Sequence, residues 1–140
     1  MISYKWLNLT RLSVVAKKFK QRLPFDSDGG AVVFPKKLFE SVAYSDLMPA
    51  AKCLIPLLQT FWRNERPVAL GVKQAAAKIG CTPTTAGKSF KMLQSHGFIV
   101  CANESLFNSK TGSKTREWRL TWMPFNGSNP TREWAAWRPP

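Results

Sequence analysis

Carboxylates are the scarcest of the charged groups in this chain. The 140 residues include 8 acidic against 21 basic ones. No Asp or Glu occurs between Glu65 and Glu104. Those present are scattered, without the paired spacing that holds magnesium in nucleases. Histidine occurs once, as His96, with no obvious carboxylate or nucleophile partner in sequence; its expected role is that of a helix C-terminal residue favourable to the dipole. The three cysteines, Cys53, Cys81 and Cys101, stand apart. A structural zinc site needs four close ligands, so none is expected, and the thiols read as buried and reduced. There is no glycine-rich phosphate loop and no GxxxxGK. No apolar run approaches the roughly 18 residues of a membrane span. The N-terminus has no continuous apolar segment of the signal-peptide kind. These absences together argue against an enzyme, a cofactor, a metal and a membrane protein, and for a cytoplasmic one.

What remains is basic and regional. The formal net charge is +13 and the pI ≈ 10.2, which implies a polyanionic partner, nucleic acid ahead of an anionic lipid surface. An apolar fraction of 44% suffices for one modest core, and the length for one domain with arms.

Residues 72–101, VKQAAAKIGCTPTTAGKSFKMLQSHGFIVC, organise the rest. Val72–Ile79 is an alanine-rich run of good helix formers. Gly80 suits the position just past its end. Thr82 can cap a second helix and Pro83 can open it, where its missing N–H costs nothing. That helix is expected over 83–96, ending at Gly97, with Phe98, Ile99 and Val100 extended and buried. Ala76 and Gly80 stand four apart, a small side chain where helices approach and a free backbone at the bend. Ala86, Phe90 and Leu93 share one face. The other carries Thr84, Gly87, Lys88 and Lys91, which are donors without carboxylates, as a helix lying in a DNA groove requires. Gly87 costs about 1 kcal/mol relative to alanine. Its missing side chain either lets the backbone approach DNA or packs against a neighbour.

Three segments follow from the order of the chain: 1–30 as a basic arm and linker, 31–123 as the main domain, and 124–140 as a tryptophan-rich tail. Residues 1–23 hold six basic residues and no acidic one, with Leu9, Leu12, Ala16, Phe19 and Leu23 at helical spacing. This amphipathic stretch can serve as a DNA-contacting arm, a packing or dimerisation helix, or a membrane-surface helix. PFDSDGG is linker. A short helix is expected over 35–44, with Leu38, Phe39 and Val42 apolar. A longer one is expected over 49–63, with Ala50, Leu54, Leu57, Leu58, Phe61 and Trp62 inward and a kink or split at Pro56. Val68, Ala69 and Leu70 suit a short strand. Two strands, 98–102 and 115–122, form a hairpin around ESLFNSKTGSK, a loop by composition. In the second, Trp118, Leu120 and Trp122 alternate with Glu117, Arg119 and Thr121. Trp134 and Trp137 must pack on the domain or at a dimer interface; stacking on single-stranded bases is the alternative.

The central stretch resembles a winged helix-turn-helix domain. VVFPKKLFESVAYSDLMPAAKCL, TREWRLTWMPF and PTREWAAWRP extend that resemblance, from about residue 32 to the end, to helix-turn-helix proteins of bacterial plasmids, prophages and integrative elements. It implies a mainly α fold with a small β-hairpin wing, and sequence-specific binding of double-stranded DNA. The role implied is transcriptional regulation, or replication and maintenance of a mobile genetic element. The 83–96 helix would enter the major groove with Thr84, Lys88 and Lys91. Thr82 and Thr85 would contact phosphate or cap. Lys73 and Lys78, with Lys110, Lys114 and Arg116 on the wing, would add backbone contacts. The bound protein would be nucleoid-associated, and a homodimer would double the short site one helix reads. Two other functions stay open, a protein-interaction module whose aromatic termini hold a partner and a binder of single-stranded nucleic acid.

Overall fold

Ser41 breaks the first expected helix in two. The computed structural model describes residues 28–103, 107–108, 113–114 and 116–140. The amphipathic stretch between Leu9 and Leu23 lies outside them. Val32–Pro140 forms one compact unit. Its first helices are α1 (Lys36–Glu40) and α2 (Val42–Ser45). Between them Ser41 is extended, at φ −72° and ψ 150°. Its hydroxyl accepts from the Tyr44 N–H at 3.1 Å and donates to the Leu38 carbonyl at 2.6 Å. One small side chain thus closes α1 and caps α2, at the cost of the helical phase between them. The expected apolar face is corrected accordingly. Leu38 and Ala43 are fully buried, whereas Phe39 and Val42 are 48% and 47% exposed.

Helix α3 (Pro49–Thr60) runs unbroken through Pro56, against the expected split. Pro56 cannot donate to the Lys52 carbonyl, a loss of about 3 kcal/mol in a helix interior. Ala51, Leu54, Ile55 and Leu58 are at most 1% exposed. At about 1.5–3 kcal/mol for each large apolar side chain, that face outweighs the missing bond. The buried stripe also sits differently from the expected one, since Ala50, Leu57, Phe61 and Trp62 are only half-buried.

Helices α4 (Val72–Ile79) and α5 (Pro83–Ser95) form where the sequence puts them. Gly80 is left-handed, at φ 79°, and its N–H reaches the Ala76 carbonyl at 2.9 Å. Thr82 is extended and its hydroxyl accepts from the Thr85 N–H at 3.2 Å, with Pro83 opening the helix. Ala75 and Ala76 on α4 and Ala86 on α5 are buried, and the two helices touch. Alanine there leaves room for close backbone approach.

Gly97, at φ 84°, turns the chain out of α5 into a sheet. Its strands are β1 (Val68–Ala69), β2 (Ile99–Asn103) and β5 (Glu117–Leu120), antiparallel in the order β1-β5-β2. Ile99 faces Leu120 and Cys101 faces Trp118, with an irregularity between Cys101 and Asn103. On the other edge Val68 faces Trp118. Farther along the hairpin, β3 (Phe107–Asn108) pairs with β4 (Ser113–Lys114), so part of the expected loop is a ladder. The described residues therefore form a small α/β domain of five α-helices and a three-stranded antiparallel sheet. None of these helices is long and apolar enough to cross a membrane.

Trp118, Leu120 and Trp122 are buried, as the alternation requires, but Thr121 is buried too. Its position on the outward side is corrected because the strand ends at Leu120. The Thr121 hydroxyl then lies 2.7 Å from the Gly97 carbonyl and 3.0 Å from that of Phe98. Its own carbonyl accepts from the Arg132 N–H at 3.0 Å. Thr121 thereby ties the end of α5 to the last residues of the chain, which fold back as a 3₁₀ turn, Glu133–Ala136. Trp134 is 2% exposed and lies parallel to Phe98, with centroids 6.2 Å apart. Trp62 and Trp122 donate their indole N–H groups to the Pro124 carbonyl and the Gln59 amide, at 3.1 and 2.8 Å. The indole N–H of Trp134 has no acceptor among the described residues, a cost of about 1–3 kcal/mol. The expectation of buried thiols is corrected as well, for Cys53 is exposed and Cys81 and Cys101 are half-buried.

Candidate nucleic-acid interface

The amphipathic division of α5 is what positions the basic groups. Ala86, Phe90 and Leu93 turn inward, with Ser89 between them donating to the Thr85 carbonyl at 2.9 Å. Thr84, Lys88 and Lys91 are left exposed, as are Lys73 and Lys78 on α4 and Arg116 before β5. Among the described residues none of these five cations lies within ion-pair distance of a carboxylate; the pairs formed are Lys36–Glu40, His96–Asp46 and Arg119–Glu133. Thr82 and Thr85 have other work. Their hydroxyls lie 3.0 Å apart, and Thr82 caps the helix. Lys110 lies outside the described residues, and Lys114 is described only as a β4 position opposite Phe107.

Lys91 and Arg116, far apart in sequence, come to one cavity of ≈ 260 Å³ between the start of α4, α5 and β5. Phe90 and Trp118 line it, their rings stacked at 5.6 Å. Gln94 lines it too, and sequence reasoning passed it over. The signal was available, since Gly87, Lys91 and Gln94 recur at i, i+4 and i+7. An amide beside two cations can hydrogen-bond a base edge or a phosphate.

Gly87 also lines this cavity, and neither of the ordinary reasons for a glycine applies. Its φ is not positive, and an added Cβ would meet only Val72 Cγ1, at 4.0 Å. Packing against a neighbour is thereby removed as its reason. Gly87→Ala is expected to stabilise the fold by about 0.5–1 kcal/mol, read by chemical denaturation. Duplex affinity is expected to fall in the same variant. Stabilisation with unchanged affinity would leave the glycine without a role at the surface.

Comparison with protein-family models, curated proteins and solved structures finds no match for this chain.

One further constellation resembles catalytic chemistry. His96 Nε2 lies 2.7 Å from the Asp46 carboxylate, and Nδ1 lies 3.0 Å from the Ser95 hydroxyl and 2.8 Å from the Met92 carbonyl. The carboxylate comes from the turn after α2, which is why the sequence did not show it. The Ser95 hydroxyl donates to the Met92 carbonyl at 3.0 Å, the same oxygen that His96 Nδ1 meets. His96 is 7% exposed, and its ring is stacked on Trp137 at 4.2 Å. A hydrolytic serine needs the base to take its proton and needs open space for an acyl group. His96 instead joins α5, the turn at Asp46 and the C-terminal segment. Among the described residues no three His, Cys, Asp or Glu side chains gather as metal ligands.

Proposed function

We propose that this chain is a winged helix-turn-helix protein that binds double-stranded DNA without catalysing a reaction. The observation that carries the reading is the exposed, carboxylate-free set Thr84, Lys88 and Lys91 on α5, continuous through Lys91 with Gln94 and Arg116. In this reading α5 enters the major groove. The hairpin of β2 and β5 is the wing, with Arg116 at its root, and Lys110 and Lys114 are the wing lysines expected to take phosphates. Lys73 and Lys78 take phosphates. The net charge of +13 supplies the long-range attraction. The resemblance to proteins of plasmids, prophages and integrative elements supports a regulatory or maintenance role in a mobile element, in the cytoplasm. A homodimer would extend the site that one helix can read.

The role split gives the test. Binding of a duplex is measured across a salt series by anisotropy, with a selected site and with random sequence. Sub-micromolar affinity is expected, falling with a log–log slope of about 0.9 per phosphate contacted. Lys88→Ala is expected to weaken the selected site more than random DNA, and Arg116→Ala to weaken both alike. No binding at low salt would overturn the proposal.

A specific feature favours a second reading, that of a protein-interaction module on the same scaffold. Val33, Phe39 and Val42 are 70%, 48% and 47% exposed. Phe39 meets Phe34 and Tyr44 edge-on, at 5.5 and 5.0 Å, so the patch is an ordered apolar surface. Trp134 is buried in its own domain and adds nothing to that apolar patch.

A further inference from the structure

A second cavity, of ≈ 500 Å³, shares no lining residue with the one at α5. It falls within the range of about 300–1,000 Å³ common to small-molecule sites. Pro35, Trp122 and Trp134 give it apolar walls, and Lys36, Lys37 and Arg132 give it three cations. No carboxylate among the described residues lines it. Lys36 is 3.8 Å from Glu40 on its own helix, but Lys37 and Arg132 have no ion-pair partner among the described residues.

Two features mark residues that line this cavity. Arg132 is left-handed, at φ 58° and ψ 41°, one of two non-glycine residues with positive φ among those described. That conformation is disfavoured for a residue with a long side chain, and such strain collects at sites of function. It accompanies a guanidinium held over the Trp134 ring, 5.4 Å from the centroid. The second feature is the orphaned donor. Trp134 is 2% exposed, and its indole N–H finds no acceptor among the described residues. Both residues line the cavity, and Arg132 brings it an exposed cation.

We infer that this cavity binds a nucleoside phosphate, with its base against the Arg132 guanidinium and its phosphate on Lys37 and Lys36. Guanidinium planes stack on nucleobases as readily as on indoles. Arg132 lies over Trp134 and is exposed, so a planar ligand can reach its guanidinium. A flexible acidic peptide matches the charge but brings no planar body to that face. The same chemistry is offered by a free mononucleotide and by the end of a nucleic-acid strand.

Tryptophan fluorescence of the full chain, titrated with dAMP, a 5′-phosphorylated deoxyadenosine dinucleotide, inorganic phosphate and polyglutamate, tests the assignment. Saturable quenching by dAMP identifies the free nucleotide. Saturable quenching by the dinucleotide alone identifies a strand end, and either outcome supports the site. Arg132→Asn removes the guanidinium while keeping a residue that tolerates the left-handed backbone. Lys37→Gln removes an exposed charge. Each is expected to weaken binding at least five-fold, whereas Lys88→Ala leaves it unchanged, which separates this site from duplex binding at α5. The inference is overturned if neither nucleotide saturates the signal, if phosphate or polyglutamate binds as tightly, or if both variants bind like the parent.

Discussion

Replacing Gly97 by alanine is expected to cost the fold about 2–5 kcal/mol, from a left-handed penalty of about 1–2 kcal/mol together with an overpacking penalty of about 1–3 kcal/mol. At φ 84° the backbone is already disfavoured for an L side chain. The added Cβ would also stand 2.8 Å from the Glu133 carbonyl carbon and 2.9 Å from the Trp134 nitrogen. Those are backbone atoms, which cannot rotate away as a side-chain tip could. The 3₁₀ turn must move, and with it Trp134 from beside Phe98 and Trp137 from over His96. Gly80→Ala is the control. Gly80 has nearly the same φ, 79°, with nothing within 4 Å of an added Cβ, so only the left-handed penalty applies. Urea denaturation of both variants isolates the close approach as the difference between them. Equal losses would mean that the C-terminal segment does not depend on its seat against Gly97. Near-ultraviolet circular dichroism, which follows the tryptophans, is expected to change in Gly97→Ala alone.

How much of this was legible in the sequence depends on where each element's partners lie. Helices α4 and α5 were readable because their signals are local: Gly80 at a left-handed end, Thr82 and Pro83 at a cap, and Ala86, Phe90 and Leu93 on one face. The two strands that flank the hairpin loop were readable for the same reason. Three features were not, and each depends on a distant neighbour. Pro56 reads as a break only until the burial of Leu54, Ile55 and Leu58 is known. Thr121 reads as an outward strand residue until the strand stops one position earlier and its hydroxyl finds Gly97 and Phe98. His96 reads as an end-of-helix residue because Asp46 and Trp137 come from opposite ends of the domain. Ser41 is a different kind of miss. It is a known cap former, but it sits inside a plausible helical run whose apolar pattern argued against a break. At the candidate interface, Thr84, Lys88 and Lys91 are exposed as the sequence placed them. The meeting of Lys91, Gln94 and Arg116 around one cavity needed the fold, because no spacing rule connects a helix to the root of a distant strand.

Reversing both lysines of α5, as Lys88→Glu with Lys91→Glu, is expected to reduce duplex affinity between about 10²- and 10⁴-fold. Each charged contact is worth about 1.5–3 kcal/mol, and about 1.4 kcal/mol corresponds to a factor of ten. Two such contacts give that range before the repulsion between new carboxylates and phosphates is counted. The salt slope is expected to fall by about 1.8, the share of two phosphates, if both lysines meet the backbone, and by less if one reads a base. Stability should hardly change, because both side chains are exposed and neither is paired among the described residues. An intact melting transition therefore separates lost contact from lost fold. The same double reversal discriminates the two functional readings. A partner seated on Val33, Phe39 and Val42 would be indifferent to α5, so a retained protein contact with DNA binding abolished would show two separate surfaces. Full duplex affinity in the doubly reversed, folded protein would remove α5 from the groove. It would leave the apolar patch as the better guide to what this domain does.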